Sequence, residues 1–216
     1  MVIDNQRHPR ADAVRNSDRI LRAARAVFAE TGPNASIEDV ATYAGVSDRT
    51  LYRHFATKAE LARAALDQCI AEQLEPAIEA ALGNDDPREG FVSLIETAMT
   101  LTASEHNTLA AARTAGSPTA DLSTDFFDAL ARLLGRAQDA GLIRPDLVTD
   151  DLDRIMAMLF STLWKVDADS DGWRRYLTLI TDGLSPAAAT PLPPATTRPN
   201  AATPPASDQP IRPPGT

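Results

Sequence analysis

Apolar residues in this chain recur at spacings of three, four, seven and eight and show no competing strand-like alternation, so the pattern predicts an all-α protein. The first stripe, Ile20, Leu21, Ala24, Val27 and Phe28, lies between a capping pair at Asn16 and Ser17 and a stop at Gly32 and Pro33. A second stripe of Ile37, Val40, Ala41 and Ala44 follows Ser36 and ends at Gly45, where a helix needs a left-handed residue. Val46 can plug the turn, Ser47 can cap a new helix, and Leu51 and Phe55 point that helix inward. Thr57 and Glu60 fit a reciprocal capping box that opens a fourth helix running from Lys58 to near Leu82, with a kink or break near Glu75 imposed by Pro76. Beyond a loop at 83–87, Phe91, Leu94, Ile95 and Ala98 mark one helix. Ser117 and Pro118 set off a short segment from a stripe of Leu122, Phe126, Leu130, Leu133 and Leu134, which Gly141 and Pro145 close. Leu152, Ile155, Met156, Leu159, Phe160 and Leu163 form the clearest stripe, and Trp173, Tyr176, Leu177, Ile180 and Leu184 the last.

The short third helix carries the most informative chemistry. With Leu51 and Phe55 inward, Asp48, Arg49, Tyr52 and Arg53 face outward, with Thr50 and His54 at the edges. A helix whose first turns enter a major groove needs base-reading side chains near its start and phosphate donors farther along. Arg49 suits guanine, Asp48 a cytosine amino group and Thr50 a thymine methyl, while Tyr52, Arg53 and His54 suit phosphate. The bland alternative is the solvated side of a surface helix, the usual fate of such a face. Lys58, in the first turn of the next helix, opposes the helix dipole, and a bound phosphate would explain it. Ser36 and Ser47 can cap their helices and also donate to phosphate.

The runs Ile-Leu-Arg-Ala-Ala-Arg-Ala-Val-Phe-Ala-Glu (20–30), Ser-Ile-Glu-Asp-Val-Ala (36–41), Gly-Val-Ser-Asp-Arg-Thr-Leu-Tyr-Arg-His-Phe (45–55) and Thr-Lys-Ala-Glu-Leu (57–61) together resemble the N-terminal domain of the TetR, tetracycline repressor-like, family over residues 16–62. The resemblance implies a homodimeric regulator of transcription, commonly a repressor, and assigns DNA contact to Ser36, Asp48, Arg49, Thr50, Tyr52, Arg53, His54 and Lys58. Asp48 and Arg49 depart from the commonest pattern, so Asp48 either reads a base or pairs with Arg49. Residues 141–184 resemble, more weakly, a C-terminal domain of some actinobacterial members. The family's second domain commonly encloses a small-molecule pocket, for which Phe91, Leu94, Phe126, Phe127, Leu130 and Met156 are candidates, and as candidates for plain core they are equally good. His106 and Glu105 are the one polar pair suggesting a ligand anchor, with a surface location the expectation.

A single short recognition helix reads too few base pairs to be selective, which favours two heads on a two-fold axis reading a palindrome. The last two stripes, through Leu152, Ile155, Leu159, Leu163, Trp173, Tyr176, Leu177 and Ile180, are the candidate dimer interface, a four-helix bundle made from two copies. The competing reading is a helical ligand- or protein-binding module whose head no longer binds DNA, for which Asp48 is the main argument.

Charge complicates this picture until it is divided. The formal net charge is -9, but residues 1–60 hold nine Lys or Arg against eight Asp or Glu, and residues 61–186 hold ten against twenty-one. The acidity therefore lies away from the reading head and discourages unspecific DNA contact. The length and the 44% hydrophobic content suffice for two domains, a DNA-binding head at 16–62 and a helical effector and dimer domain at 63–184. A disordered basic arm is expected at 1–15, with Arg7, His8, Arg10 and Arg15, and a disordered tail at 185–216, where ten prolines fall between Pro186 and Pro214. The lone Cys69 cannot form an internal disulfide and reads as an apolar filler of the fourth helix. No secretory leader or membrane-length apolar run is present, so a cytoplasmic protein is expected. Asp167, Asp169, Asp171 and Gly172 mimic the opening of a calcium-binding EF-hand loop, but its twelfth position is Thr178, so an inter-helix loop with Asp171 capping the last helix is the better reading. No zinc site, catalytic triad, P-loop or dinucleotide fingerprint is present, so neither cofactor nor enzyme activity is expected.

Overall fold

The computed structural model describes residues 8–116, 124–163, 171–188 and 190–195, with side chains from residue 15 onward. Its helices are α1 (His8–Thr31), α2 (Ile37–Ala44), α3 (Asp48–His54), α4 (Lys58–Cys69), α5 (Glu75–Leu82), α6 (Pro87–Ser104), α7 (His106–Thr114), α8 (Thr124–Asp139), α9 (Thr149–Leu163) and α10 (Trp173–Gly183). No strand occurs among the described residues. Ser117, Pro118, Leu122, Lys165, Asp167 and Asp169 lie outside them, as do residues 1–7 and 196–216.

Two hydrophobic cores divide the chain. Ile20, Ala24, Phe28, Val40, Ala41, Leu51, Leu61 and Ala62 are fully buried in the first, which also takes in Ala65 and Leu66 of α4 and Ala111 and Ala112 of α7. The second gathers Cys69 and Leu74 with the apolar faces of α6, α8, α9 and α10. A seven-residue helix such as α3 is not stable alone. It forms because Leu51 is completely buried, which contributes about 1.5–3 kcal/mol, and because Ser47 caps its start.

The first helix starts at His8, so residues 8–15 are helical where an unstructured arm was expected, and Asn16 and Ser17 lie in the helix interior rather than capping its start. Pro9 was the apparent obstacle, yet in the first turn its missing N–H breaks no intrahelical bond. Pro76 acts as anticipated, and the device is specific: Ile70–Leu74 form a π turn joining α4 to α5, closed by Glu75 N–H donating to the Ile70 carbonyl. Widening the helix for one turn accommodates a residue that cannot donate and that crowds the carbonyl four positions back.

The C-terminal segment also departs from expectation near its start. Pro186–Ala188 form a 3-10 turn, and Thr190 and Leu192 bond to the loop after α8. Arg144 grips Asp146 through Nε at 2.6 Å and Nη2 at 2.9 Å and donates to the Thr190 carbonyl at 2.6 Å, while Leu192 N–H donates to Asp146 at 2.9 Å. Composition argues against a packed core there, but it does not prevent backbone groups from docking on a charged pair. Asp171 does not cap α10 with its side chain; its carboxylate faces Arg174 Nε at 3.4 Å instead.

Candidate nucleic-acid interface

The head is built to hold α3 rigidly. Gly45 terminates α2 at φ 64°, ψ 37°, its N–H directed at the Ala41 and Thr42 carbonyls, and Val46 N–H returns to Ala41 at 3.0 Å. The chain therefore reverses within two residues, at a backbone conformation that glycine adopts without steric cost. Ser47 Oγ accepts from Thr50 N–H at 3.3 Å and shares a hydroxyl bond with Thr50 Oγ1 at 2.9 Å. Both hydroxyls are thus engaged within the cap. Val46 packs against the head core as anticipated.

Asp48, Arg49 and Arg53 are exposed along α3, and neither arginine has an ion-pair partner among the described residues. The alternative in which Asp48 pairs with Arg49 is not realised. Tyr52 is 45% exposed, and its hydroxyl donates to Glu38 Oε1 of α2 at 2.9 Å. This bond raises the Tyr52 pKa; the Glu38 carboxyl is lowered first by its own backbone N–H and next by Tyr52. His54 is half-buried, and its Nε2 is buried without a hydrogen-bond partner.

Ser36 forms a complete capping box, with Asp39 N–H donating to Ser36 Oγ at 3.1 Å and Ser36 N–H to Asp39 Oδ2 at 2.9 Å. Its hydroxyl donates to the same Asp39 oxygen at 2.7 Å. The expected box at Thr57 is shifted: Thr57 Oγ1 accepts from Glu60 N–H at 3.1 Å, but the Glu60 carboxylate takes the N–H of Ala56. Lys58 is turned inward, donating to the Pro33 carbonyl at 2.7 Å and standing 5.7 Å from the Phe28 ring centre. Burial pushes its pKa down. The carbonyl accounts for a cation in the first turn of α4 with no phosphate required.

Sequence reasoning missed Glu38 and Asp39. The spacing Ser36-x-x-Asp39 was a legible capping signal, but nothing local shows that Glu38 meets a tyrosine fourteen positions on. It also misplaced Glu105, which is buried at 7% exposure where a surface position was expected. Glu105 stands at the break between α6 and α7 and accepts from Arg25 of α1 through Nε at 2.8 Å and Nη2 at 2.6 Å, both on Oε1. Thr108 Oγ1 donates to its other oxygen at 2.9 Å, and the Cys69 thiol lies at 3.5 Å. Burial, then the Glu105 charge, pushes the Cys69 thiol up to about 12, so Cys69 is the inert filler expected.

The pocket candidates Phe91, Leu94, Phe126, Leu130 and Met156 are buried in the second core, with Phe127 half-buried beside them and edge-on to Phe126. The dimer candidates need correction. Leu152, Ile155, Leu159, Leu163, Trp173 and Leu177 are buried in the chain's own core, leaving Tyr176 exposed and Ile180 half-buried. Strong helical periodicity marks the face that packs, and the monomer's own α6 and α8 already occupy it. The large exposed apolar residues of these helices are Met158 at 55%, Tyr176 at 43% and Leu179 at 69%. No helix among the described residues is long and apolar enough to cross a membrane.

A capped helix-turn-helix head set on a separate helical core defines a class, the DNA-binding transcriptional regulators. Residues 20–65 match the family model of bacterial regulatory proteins of the tetR family, and residues 86–186 match the C-terminal domain described as transcriptional regulator SbtR-like. The chain is 30% identical to a TetR transcriptional regulator from Streptomyces coelicolor, covering 79% of this chain and 98% of that one at a TM-score of 0.56. A TetR regulatory protein from Mycobacterium vanbaalenii is 26% identical, with 82% and 98% covered and a TM-score of 0.59. The TetR family regulator PfmR from Thermus thermophilus shares the fold at 23% identity, with 78% and 97% covered and a TM-score of 0.61. No curated protein matches the chain. The chain belongs to the TetR family of transcriptional regulators.

Proposed function

We propose that this regulator binds a palindromic double-stranded DNA operator as a homodimer, in the cytoplasm, and acts as a repressor released by a small apolar effector. The observation that carries the reading is the outward face of α3, where Arg49 and Arg53 are exposed and without an ion-pair partner among the described residues, on a helix capped and buried from behind. Free guanidinium groups on a rigid helix suit groove and phosphate contact, because little side-chain reorganisation precedes binding. Arg49, near the helix start, reads a base, with Asp48 and Thr50 beside it. Arg53 grips phosphate. Tyr52, Ser36, Ser47, His54 and Lys58 enter through groups already engaged or covered, so they shape the surface more than they supply free donors.

Dimerisation is supported by Met158, Tyr176 and Leu179, large apolar side chains left exposed on α9 and α10. The effector site is read from Phe91, Leu94, Phe126, Phe127, Leu130 and Met156, which meet in one apolar cluster. An occupant there must be apolar to replace the contacts it displaces.

The test is salt-dependent binding to operators selected from random DNA. Arg53→Ala should weaken binding to all sequences alike and reduce the salt slope by about 1, and Arg49→Ala should cost about 1–3 kcal/mol of discrimination at one base position. Equal effects of the two substitutions on slope and on sequence preference would refute the division of roles. Failure of the wild-type chain to select any DNA would refute DNA binding itself.

A further inference from the structure

A polar knot lies where the two cores meet. Arg25 reaches out of the head from α1, Cys69 stands at the end of α4 just before the π turn, and Glu105 occupies the non-helical joint between α6 and α7. Both irregularities of the connecting helices are therefore drawn to the same carboxylate. Its Oε1 takes the Arg25 Nε bond, with Nη2 ion-paired to the same oxygen, and lies against the Cys69 thiol; its Oε2 takes the Thr108 hydroxyl, and Gln73 Nε2 donates to Cys69 Sγ at 3.1 Å. Glu72, within the π turn, approaches Arg25 Nη1 at 3.4 Å. A second tie crosses nearby, from Asn107 Nδ2 to the Ala29 carbonyl at 3.3 Å.

We propose that Arg25 and Glu105 are positioning residues, a directional latch that sets the orientation of the DNA-reading head relative to the second core. Around the latch α7 meets the head core through Ala111, Ala112 and the partly buried Leu109, apolar contacts that carry no directional preference of their own. A planar guanidinium held on one buried oxygen cannot roll without losing a charge-assisted bond in a medium that does not replace it. The carboxylate is held in turn by Thr108 of α7, so the head's direction is tied to the α6–α7 joint. Movement of α6 in the second core must then either carry α1 with it or break the pair. An ionic pair in such a place supplies orientation more than stability, since well-packed apolar replacements commonly match it in stability.

The inference rests on the reading of the protein as a dimer that binds DNA. In a dimer the orientation of each head appears as the preferred spacing of two half-sites. The experiment compares wild type, the double variant Arg25→Met with Glu105→Met, and the isosteric Glu105→Gln on selected operators whose half-sites are moved together or apart by a base pair or two, alongside thermal melting. The double variant should melt close to wild type, and its preference for the best spacing should fall by about fivefold or more, the low end of ordinary coupling between sites. Retention of the wild-type spacing preference, with or without a change in melting temperature, overturns the latch. Should the double variant not fold, Glu105→Gln carries the test by the same criterion. A wild-type protein that binds no selected DNA overturns the functional reading and this inference together, and is distinguished by failing before any variant is compared.

Discussion

Gly90 and Gly135 are both helical glycines, and substituting alanine at each should move stability in opposite directions. Gly90 is buried near the start of α6, and a Cβ built there would lie 2.5 Å from the Ala81 carbonyl oxygen of α5 and 3.1 Å from Leu133 Cδ2. The leucine methyl can rotate away, but the carbonyl cannot. Ala81 O accepts from Asn84 N–H at 3.2 Å, and Arg136 of α8 holds the Leu82 and Asn84 carbonyls at 2.8 and 2.9 Å. Restoring ordinary contact requires α5 and α6 to part by about 0.9 Å, and overpacking of this kind costs about 1–3 kcal/mol. Alanine returns about 1 kcal/mol or less in helix propensity so close to the N-terminus, so Gly90→Ala should be about 1–2 kcal/mol less stable. At Gly135, in the middle of α8, a Cβ meets nothing within 4 Å, and Gly135→Ala should gain about 0.5–1 kcal/mol. The assay is urea and thermal denaturation of both variants beside wild type. For a chain of this size a difference of about 2–3 kcal/mol between them separates their melting temperatures by roughly 5–10 °C. If Gly90→Ala matched Gly135→Ala, the close approach of α5 and α6 would be free to relax, and the rigid seating of α6 would be refuted.

Cys69 should resist alkylation in the native protein at pH 8 and react on denaturation. Its folded pKa of about 12 lies above the ordinary thiol value, so the associated stability is complete below about pH 8.5 and is lost as pH rises from there toward 12; loss of stability on acidification from this group, or native labelling at pH 8, contradicts the buried placement. On α10, Leu179→Glu should weaken the proposed dimer by roughly a hundredfold or more, from about 1.5–3 kcal/mol for each of two leucines, and leave the chain folded, as read by analytical ultracentrifugation and circular dichroism. Leu177→Glu, two positions away on the buried side, should unfold it instead. An unaltered dimer in Leu179→Glu moves the interface elsewhere.

The sequence was most legible where function depends on a few neighbouring residues. Ser36, Gly45, Ser47, Leu51 and Phe55 dictate the helix-turn-helix locally, through caps, a left-handed glycine and a two-residue inward stripe, and the structure shows each in that role. Pro76 disclosed a break, because a missing donor disturbs a helix interior, although the form of that break, a π turn over Ile70–Leu74, is seen only in the structure. The outward set of Asp48, Arg49 and Arg53 followed from the same periodicity, since an inward stripe determines the opposite face.

Whatever depends on residues distant in sequence was decided by the tertiary structure alone. Periodicity marks an apolar face without naming its partner, so Leu152, Ile155, Leu159 and Leu177 read as well for a dimer as for the chain's own core, and only packing assigned them to the core. A charged residue reads as solvated until another arrives, so Glu105 became a buried junction only when Arg25, eighty positions earlier, came within 2.6 Å. Lys58 and Tyr52 were redirected in the same way, toward the Pro33 carbonyl and Glu38. Helix, turn and cap arise from interactions spanning a few residues, which the order of side chains specifies directly. Partner choice arises from desolvation at sites that exist only after the helices have met, and there the same side chains take the nearest group able to satisfy them.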